Sequence, residues 1–217
     1  MAKSSVSLWS ADLTALGDAV KSVSPYADYF HFDIADGHFV PVLLFFSDLM
    51  KSLRPLTNVP FEAHLMTLEP EKFIPDFVEA GADIIALQYE ACKDPAETLR
   101  YIRTLGKQTA IVLAPDTSLD VLEPLLTFEL IDIVTILGQQ IGTKGKSIEP
   151  GTFERIRKVR QMLDQKGKNN VSIEADGGIR QNTVEDLVKA GADILVPGSL
   201  AFKNDFLKIF PWLKGLH

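Results

Sequence analysis

The pentapeptide Ala190-Gly191-Ala192-Asp193-Ile194 occurs a second time as Ala80-Gly81-Ala82-Asp83-Ile84, and Tyr26-Ala27-Asp28-Tyr29 echoes it near the start of the chain. In each copy a glycine or other small residue can stop a helix, and the residues after the aspartate can start a strand. The two full copies lie 110 residues apart. That distance accommodates four helix–strand units of about 27 residues, the size expected in a compact βα barrel. Five residues make a short repeat, so the same alternation has to be visible elsewhere in the chain.

Apolar, β-prone runs occur at 6–9, 29–33, 61–65, 84–87, 110–113, 133–136, 171–175 and 194–196, and most are followed by a segment of helical period. In 152–163, for example, Phe153, Ile156, Val159 and Leu163 share one face, while Arg155, Arg157, Lys158 and Arg160 occupy the others. The apolar run 42–46 reads as a loop entering the second helix. Eight strands alternating with helices predict an α/β fold, a single (β/α)8 barrel of the TIM type over residues 1–217. A doubly wound open sheet has the same alternation, but its marker, Gly-x-Gly-x-x-Gly after the first strand, is absent. No linker, low-complexity tract or shift of composition divides the chain.

Composition narrows the function. With 46% hydrophobic and 24% charged residues the chain reads as an ordinary globular domain. A net charge of −7 argues against a nucleic-acid partner, which requires a basic face. It does not exclude a small phosphorylated substrate, because a few backbone N–H groups hold one phosphate whatever the overall charge. Cys92 is the only cysteine, so neither an intrachain disulfide nor a cysteine-rich metal site is possible, and any metal must take imidazole and carboxylate ligands. The first residues lack a signal-peptide apolar core, and no apolar run approaches the ~20 residues of a membrane span. The expectation is a cytoplasmic protein without a membrane partner. A homo-oligomer is compatible with the sequence, which carries no interface signature.

In a barrel the catalytic groups stand at the C-terminal ends of the strands. The second strand ends His31-Phe32-Asp33, whose first and third side chains point the same way. The third ends Glu62-Ala63-His64, and the seventh ends Glu174-Ala175-Asp176. His31, Asp33, His64 and Asp176 can therefore converge at one mouth, a donor set suited to one divalent ion: Zn, Mn, Fe or Co. Of the other two histidines, His38 lies in a loop and His217 is the last residue. Gly177-Gly178-Ile179 follows strand seven and Gly198-Ser199 follows strand eight, where barrels commonly bind phosphate. Glycine lets the backbone approach the anion, and Ser199 adds a hydroxyl.

These residues resemble the ribulose-phosphate 3-epimerase family, and the resemblance runs from about residue 7 to about 202. Ser7-Leu8-Trp9-Ser10-Ala11-Asp12 is similar to the family's Ser-x-x-Ser-Ala-Asp start. The stretch from His31-Phe32-Asp33-Ile34-Ala35-Asp36-Gly37 through His38-Phe39-Val40-Pro41 is close to its signature, with Ala35 where Met is usual. His64-Leu65-Met66, Asp176-Gly177-Gly178-Ile179 and Gly198-Ser199 also match. The resemblance implies that His31, Asp33, His64 and Asp176 bind the metal and that Asp33 and Asp176 are the acid/base pair. It implies substrate contacts from Ser7, His64, Gly142, Gly145, Gly177, Gly178, Gly198 and Ser199. The implied reaction interconverts D-ribulose 5-phosphate and D-xylulose 5-phosphate through an enediolate.

A related superfamily of decarboxylases and synthases carries Asp-x-Lys-x-x-Asp at a strand end, and Ala35 stands where that lysine is needed. The chain departs from the epimerase pattern after strand six, where Met-x-x-Asn-Pro-Gly-Phe-Gly-Gly-Gln is usual. Leu137-Gly138-Gln139-Gln140-Ile141-Gly142-Thr143-Lys144-Gly145-Lys146 retains only the outer glycines, and Val42 replaces an asparagine after Pro41. Both changes fall in loops that set specificity. Residues 138–146 read as a lid over the site, with Lys144 and Lys146 as candidate charges near the phosphate. Three alternatives follow: a 3-epimerase of another ketose phosphate such as a hexulose 6-phosphate, a metal-dependent aldolase, and an inactive binding barrel.

Overall fold

Eight short strands run parallel in a closed ring in the computed structural model, which describes residues 2–202 and 206–216. They are β1 (Lys3–Ser7), β2 (Tyr29–Asp36), β3 (Phe61–Met66), β4 (Ile84–Gln88), β5 (Gln108–Leu113), β6 (Ile133–Leu137), β7 (Ser172–Asp176) and β8 (Ile194–Val196). Each pairs with its neighbours in sequence order, and β1 closes the ring by pairing with both β2 and β8. This is the (β/α)8 barrel implied by the alternation. The helices between strands are α1 (Leu16–Val23), α2 (Ser47–Leu53), α3 (Ile74–Glu79), α4 (Pro95–Thr104), α5 (Leu122–Thr127), α6 (Thr152–Gln165) and α7 (Val184–Ala190). The short α8 (Ser199–Phe202) and α9 (Phe206–Lys214) follow β8.

Strand alternation divides the core in two. The outward positions, such as Phe30 and Phe32 on β2, Phe61 and Leu65 on β3, and Ile173 on β7, pack under the helices in one large cluster. The inward positions are of two kinds. Ile84, Ala86, Ala110, Val112, Ile133, Leu137 and Ile194 plug one part of the barrel with apolar side chains. Ser5, Ser7, His31, Asp33, Glu62, His64, Gln88, Thr135 and Glu174 fill the rest with buried polar ones. Most of the polar residues come from β1, β2, β3 and β7, so the barrel interior is chemically lopsided.

Two expectations need correction. The first strand ends at Ser7, and Leu8–Ser10 forms a 3-10 turn, so the apolar run 6–9 straddles a strand end. The strand begins earlier, in Lys3-Ser4-Ser5, because its interior face is polar. The run 42–46 is also not wholly loop. Leu43–Leu44 pairs antiparallel with Ala35 and Asp36 at the end of β2 before α2 begins. His217 and residue 1, at the ends of the expected domain, lie outside the described residues. No described helix is long and apolar enough to cross a membrane.

Candidate active site

Strand register assembles the site. Asp33 on β2 stands opposite His64 on β3, and Ser7 on β1 stands opposite His31. Asp176 ends β7 between Leu137 and Val196 of the flanking strands. His31, Asp33, His64 and Asp176 each bring one ligating atom to a common place, all within 4.8 Å of one another. The Ser7 hydroxyl donates to Asp33 Oδ2 at 2.8 Å.

Whether a metal fits is answered by the ring nitrogens. Nδ1 of His31 and Nδ1 of His64 stand 3.4 and 3.5 Å from the two oxygens of Asp33, and both are buried without a hydrogen-bond partner. Nε2 of His31 is likewise buried and unpartnered. Buried polar atoms are rarely left so, and each one costs free energy. Two imidazole lone pairs facing two carboxylates form a donor set that a divalent cation would satisfy. The residues fit the group.

The carboxyls are driven apart electrostatically. Burial raises Asp33, but the electrostatic pull of His31 and His64 beside its two oxygens outweighs it and holds the carboxyl well below the usual carboxylate range. Burial, reinforced by the charge of Asp33, pushes Asp176 up to about 6 against the pull of His31. Beneath them lies a second acidic layer in which Glu62 and Glu174 are wholly buried and share His31 as a neighbour. Ser5 Oγ donates to Glu62 at 2.7 Å and Thr135 Oγ1 to Glu174 at 3.0 Å. Burial and the charge of Glu62 raise Glu174 well above the ordinary value.

Above this floor is a cavity of about 150 Å³, and Ser7, Asp33, His64 and Asp176 form part of its wall. His31 is fully buried below it and lines no part of it. Gly177, Gly178, Gly198 and Ser199 line one side, Gly142 and Gly145 another. Gly178 has φ 75°, and a Cβ there would come within 2.6 Å of Ile148 Cβ. A Cβ on Gly198 would meet Ser10 Oγ at 2.6 Å. These glycines let two loops close around the cavity where any side chain would collide.

Residues 138–146 lie against the cavity rather than away from it. Gln139 Nε2 donates to the Lys146 carbonyl at 2.6 Å, and Ile141 packs on the cluster of Ala35, Val40 and Met66. Lys144 Nζ donates to the Trp9 carbonyl at 2.5 Å and stands 5.4 Å from the centre of the Trp9 ring. The Lys146 side chain is exposed and is not in the wall, and neither is His38.

Sequence reasoning passed over several residues of this region. Glu62 and Glu174 were visible as strand-end letters and share the inward parity of His64 and Asp176. Gln88, also inward and buried, places its amide 3.0 Å from Nε2 of the His64 ring. Its signal was the parity Ile84, Ala86, Gln88, hidden because an apolar run ends at Leu87. Arg180, next to the Gly177-Gly178-Ile179 turn, lines the cavity as well. Asp36 holds two loops: its carboxylate accepts from the N–H groups of His38 and Phe39, both at 2.9 Å, and of Leu68 at 2.8 Å.

Comparison with known proteins gives concordant results. A sequence model described as the ribulose-phosphate 3 epimerase family matches residues 3–202. The chain is 36% identical over 217 residues to the ribulose-phosphate 3-epimerase of Bacillus subtilis (strain 168), covering 99% of each chain. It is 40% identical over 199 residues to the enzyme of the same name from Synechocystis sp., covering 90% of this chain and 85% of that one. Among solved structures, 3-keto-L-gulonate-6-phosphate decarboxylase from Vibrio cholerae superposes with a TM-score of 0.72, covering 98% of this chain and 95% of that one. At 13% identity that likeness bears on the fold alone.

Proposed function

Because the chain belongs to the ribulose-phosphate 3-epimerase family, we propose that it is a metal-dependent isomerase interconverting D-ribulose 5-phosphate and D-xylulose 5-phosphate. The observation that carries this reading is the convergence of His31, Asp33, His64 and Asp176 at the floor of a glycine-rimmed cavity. The four residues would hold one divalent ion, with Zn, Mn, Fe and Co all suited to the donors. Bound there, it would supply Lewis-acid stabilisation of the negative charge that develops on the C2 and C3 oxygens.

Inversion at C3 requires a proton to leave one face of the carbon and another to arrive on the opposite face. Asp33 and Asp176 come from strands separated by β8 and β1 in the ring, which supports their approach to a substrate from two sides. In the metal-free protein Asp33 is held ionised by its imidazole neighbours, and Asp176 keeps a proton to about pH 6. Opposed carboxyls with separated pKa values are the arrangement that base-and-acid catalysis needs. Asp33 would take the C3 proton while Asp176 delivers one, and the roles exchange in the reverse direction. Ser7, by donating to Asp33 Oδ2, fixes the direction in which that carboxylate points. The loops of Gly177-Gly178 and Gly198-Ser199 would receive the phosphate. Residues 138–146, lying against the cavity, would keep water from the enediolate.

A second reading keeps the chemistry and changes the sugar to a hexulose 6-phosphate. It rests on the departures at residues 137–146 and on Ala35, which is smaller than the methionine usual there. NMR product analysis of metal-loaded protein with ketose 5- and 6-phosphates separates the cases. Xylulose 5-phosphate formed fastest from ribulose 5-phosphate supports the first reading, and conversion of a 6-phosphate alone supports the second. Cleavage to shorter fragments would mean an aldolase, and no conversion of any sugar would mean a binding barrel.

A further inference from the structure

The hydrogen bond between Gln88 and His64 has a direction that its surroundings determine. Gln88 ends β4, is fully buried, and places one end of its amide 3.0 Å from His64 Nε2. The other end faces two acceptors: the Glu90 carboxylate, with which it makes a hydrogen bond, and the Val112 carbonyl at 3.4 Å. The amide nitrogen must therefore point at Glu90 and Val112, which leaves the amide oxygen toward the imidazole. Glu90 in turn is held from the next loop by the Ala114 N–H at 2.9 Å and by the Thr117 hydroxyl.

An amide oxygen 3.0 Å from Nε2 requires a proton on Nε2, since two lone pairs would otherwise face each other in a buried site. The neutral ring then carries its lone pair on Nδ1, the unpartnered atom aimed at Asp33. We propose that Gln88 is a positioning residue that holds His64 in its Nε2–H form and aims the Nδ1 lone pair at the metal position, with Glu90 setting the sense of the Gln88 amide. The proposal rests on the metal reading above for its purpose, but the Nε2–H to Gln88 hydrogen bond it assigns exists without any metal. Histidine ligands generally donate their second N–H to a partner that fixes ring and tautomer, and loss of the partner weakens metal affinity about 10- to 100-fold.

The test uses metal-free, 15N-histidine-labelled full-length protein and long-range proton–nitrogen NMR, with Zn²⁺ titration by calorimetry as the second readout. In wild type, His64 is expected to carry a proton on Nε2. Gln88→Met, of similar size without an acceptor, is expected to lose that fixed proton position and bind Zn²⁺ about 10- to 100-fold more weakly. Gln88→Glu, which keeps an acceptor toward Nε2 and carries a proton on the oxygen facing Glu90 and the Val112 carbonyl, is expected to keep the proton on His64 Nε2. An Nδ1–H ring in wild type would overturn the proposal without any variant. So would a folded Gln88→Met protein with wild-type tautomer and Zn²⁺ affinity. If His64→Ala binds Zn²⁺ as wild type does, the metal reading fails, and the NMR result still decides the role of Gln88 in fixing the ring.

Discussion

Asp83 and Asp193, 110 residues apart in the sequence, make the same contacts at two corners of the barrel. Asp83 Oδ2 accepts the backbone N–H of Phe61 at 2.9 Å, and Asp193 Oδ2 accepts that of Ile173 at 2.8 Å. Each donates its own N–H back to the same residue's carbonyl at 2.8 Å. Each is also paired with an arginine, Arg54 and Arg160 respectively. Asp28 and Asp132 make the same two-way exchange with Ser4 and Thr109. One aspartate thus stands before each even-numbered strand and ties it to the start of the odd strand preceding it, giving the barrel four equivalent corners.

Loss of either carboxylate leaves a strand N–H and an arginine without their acceptor. Asp193→Ala is expected to cost about 1–3 kcal/mol of stability. Asp83→Ala, on the far side of the ring, is expected to cost a similar amount, with the double variant close to additive. Urea denaturation of the metal-free protein measures all three.

Gly178 and Gly106 both have positive φ, 75° and 71°, but only Gly178 is crowded, with Ile148 in the path of a Cβ. Gly106→Ala meets nothing within 4 Å and is expected to cost about 1–2 kcal/mol for its backbone alone. Gly178→Ala adds a collision, for a total of roughly 2–4 kcal/mol, and is expected to raise KM for the phosphorylated substrate. Melting curves and steady-state kinetics of the two variants provide the comparison.

The raised pKa of Asp176 makes the stability of the metal-free protein depend on pH. A carboxyl whose folded pKa lies above its ordinary 3.8 favours the folded state while protonated. That contribution is complete below about pH 3.8 and is lost as pH rises through about 6. Wild type is therefore expected to lose more stability between about pH 5 and 7 than Asp176→Asn. Melting temperatures in the presence of a chelator at those two pH values check it, and equal losses would remove Asp176 as the source.

The legible part of this chain was the part governed by alternation. Outward apolar residues on the strands marked seven of the eight within a few positions, and the i, i+2 parity of His31 and Asp33 placed them together. β1 was displaced because its inward face is serine, so an apolar criterion detected only its far end. The aspartate corners were visible at 83 and 193, where the flanking residues repeat. The corner at 132 was hidden because Leu130 and Ile131 precede it where the copies at 83 and 193 have Gly-Ala. Gln88 was missed for a related reason: a buried amide after an apolar run reads as the end of a strand. The pairing of β3 with β4, which sets Ala86 opposite His64, brings it beside the imidazole ring.

Two opposed carboxyls acting at one carbon is the central claim, and proton exchange at C3 tests it most directly. Metal-loaded protein is incubated in D₂O with ribulose 5-phosphate, and the sugar is followed by NMR. Deuterium at C3 is expected to appear together with xylulose 5-phosphate. Asp33→Asn and Asp176→Asn are each expected to lower the epimerisation rate by about 10²–10⁴-fold. Epimerisation without deuterium at C3, or with either aspartate replaced at little loss of rate, would contradict it.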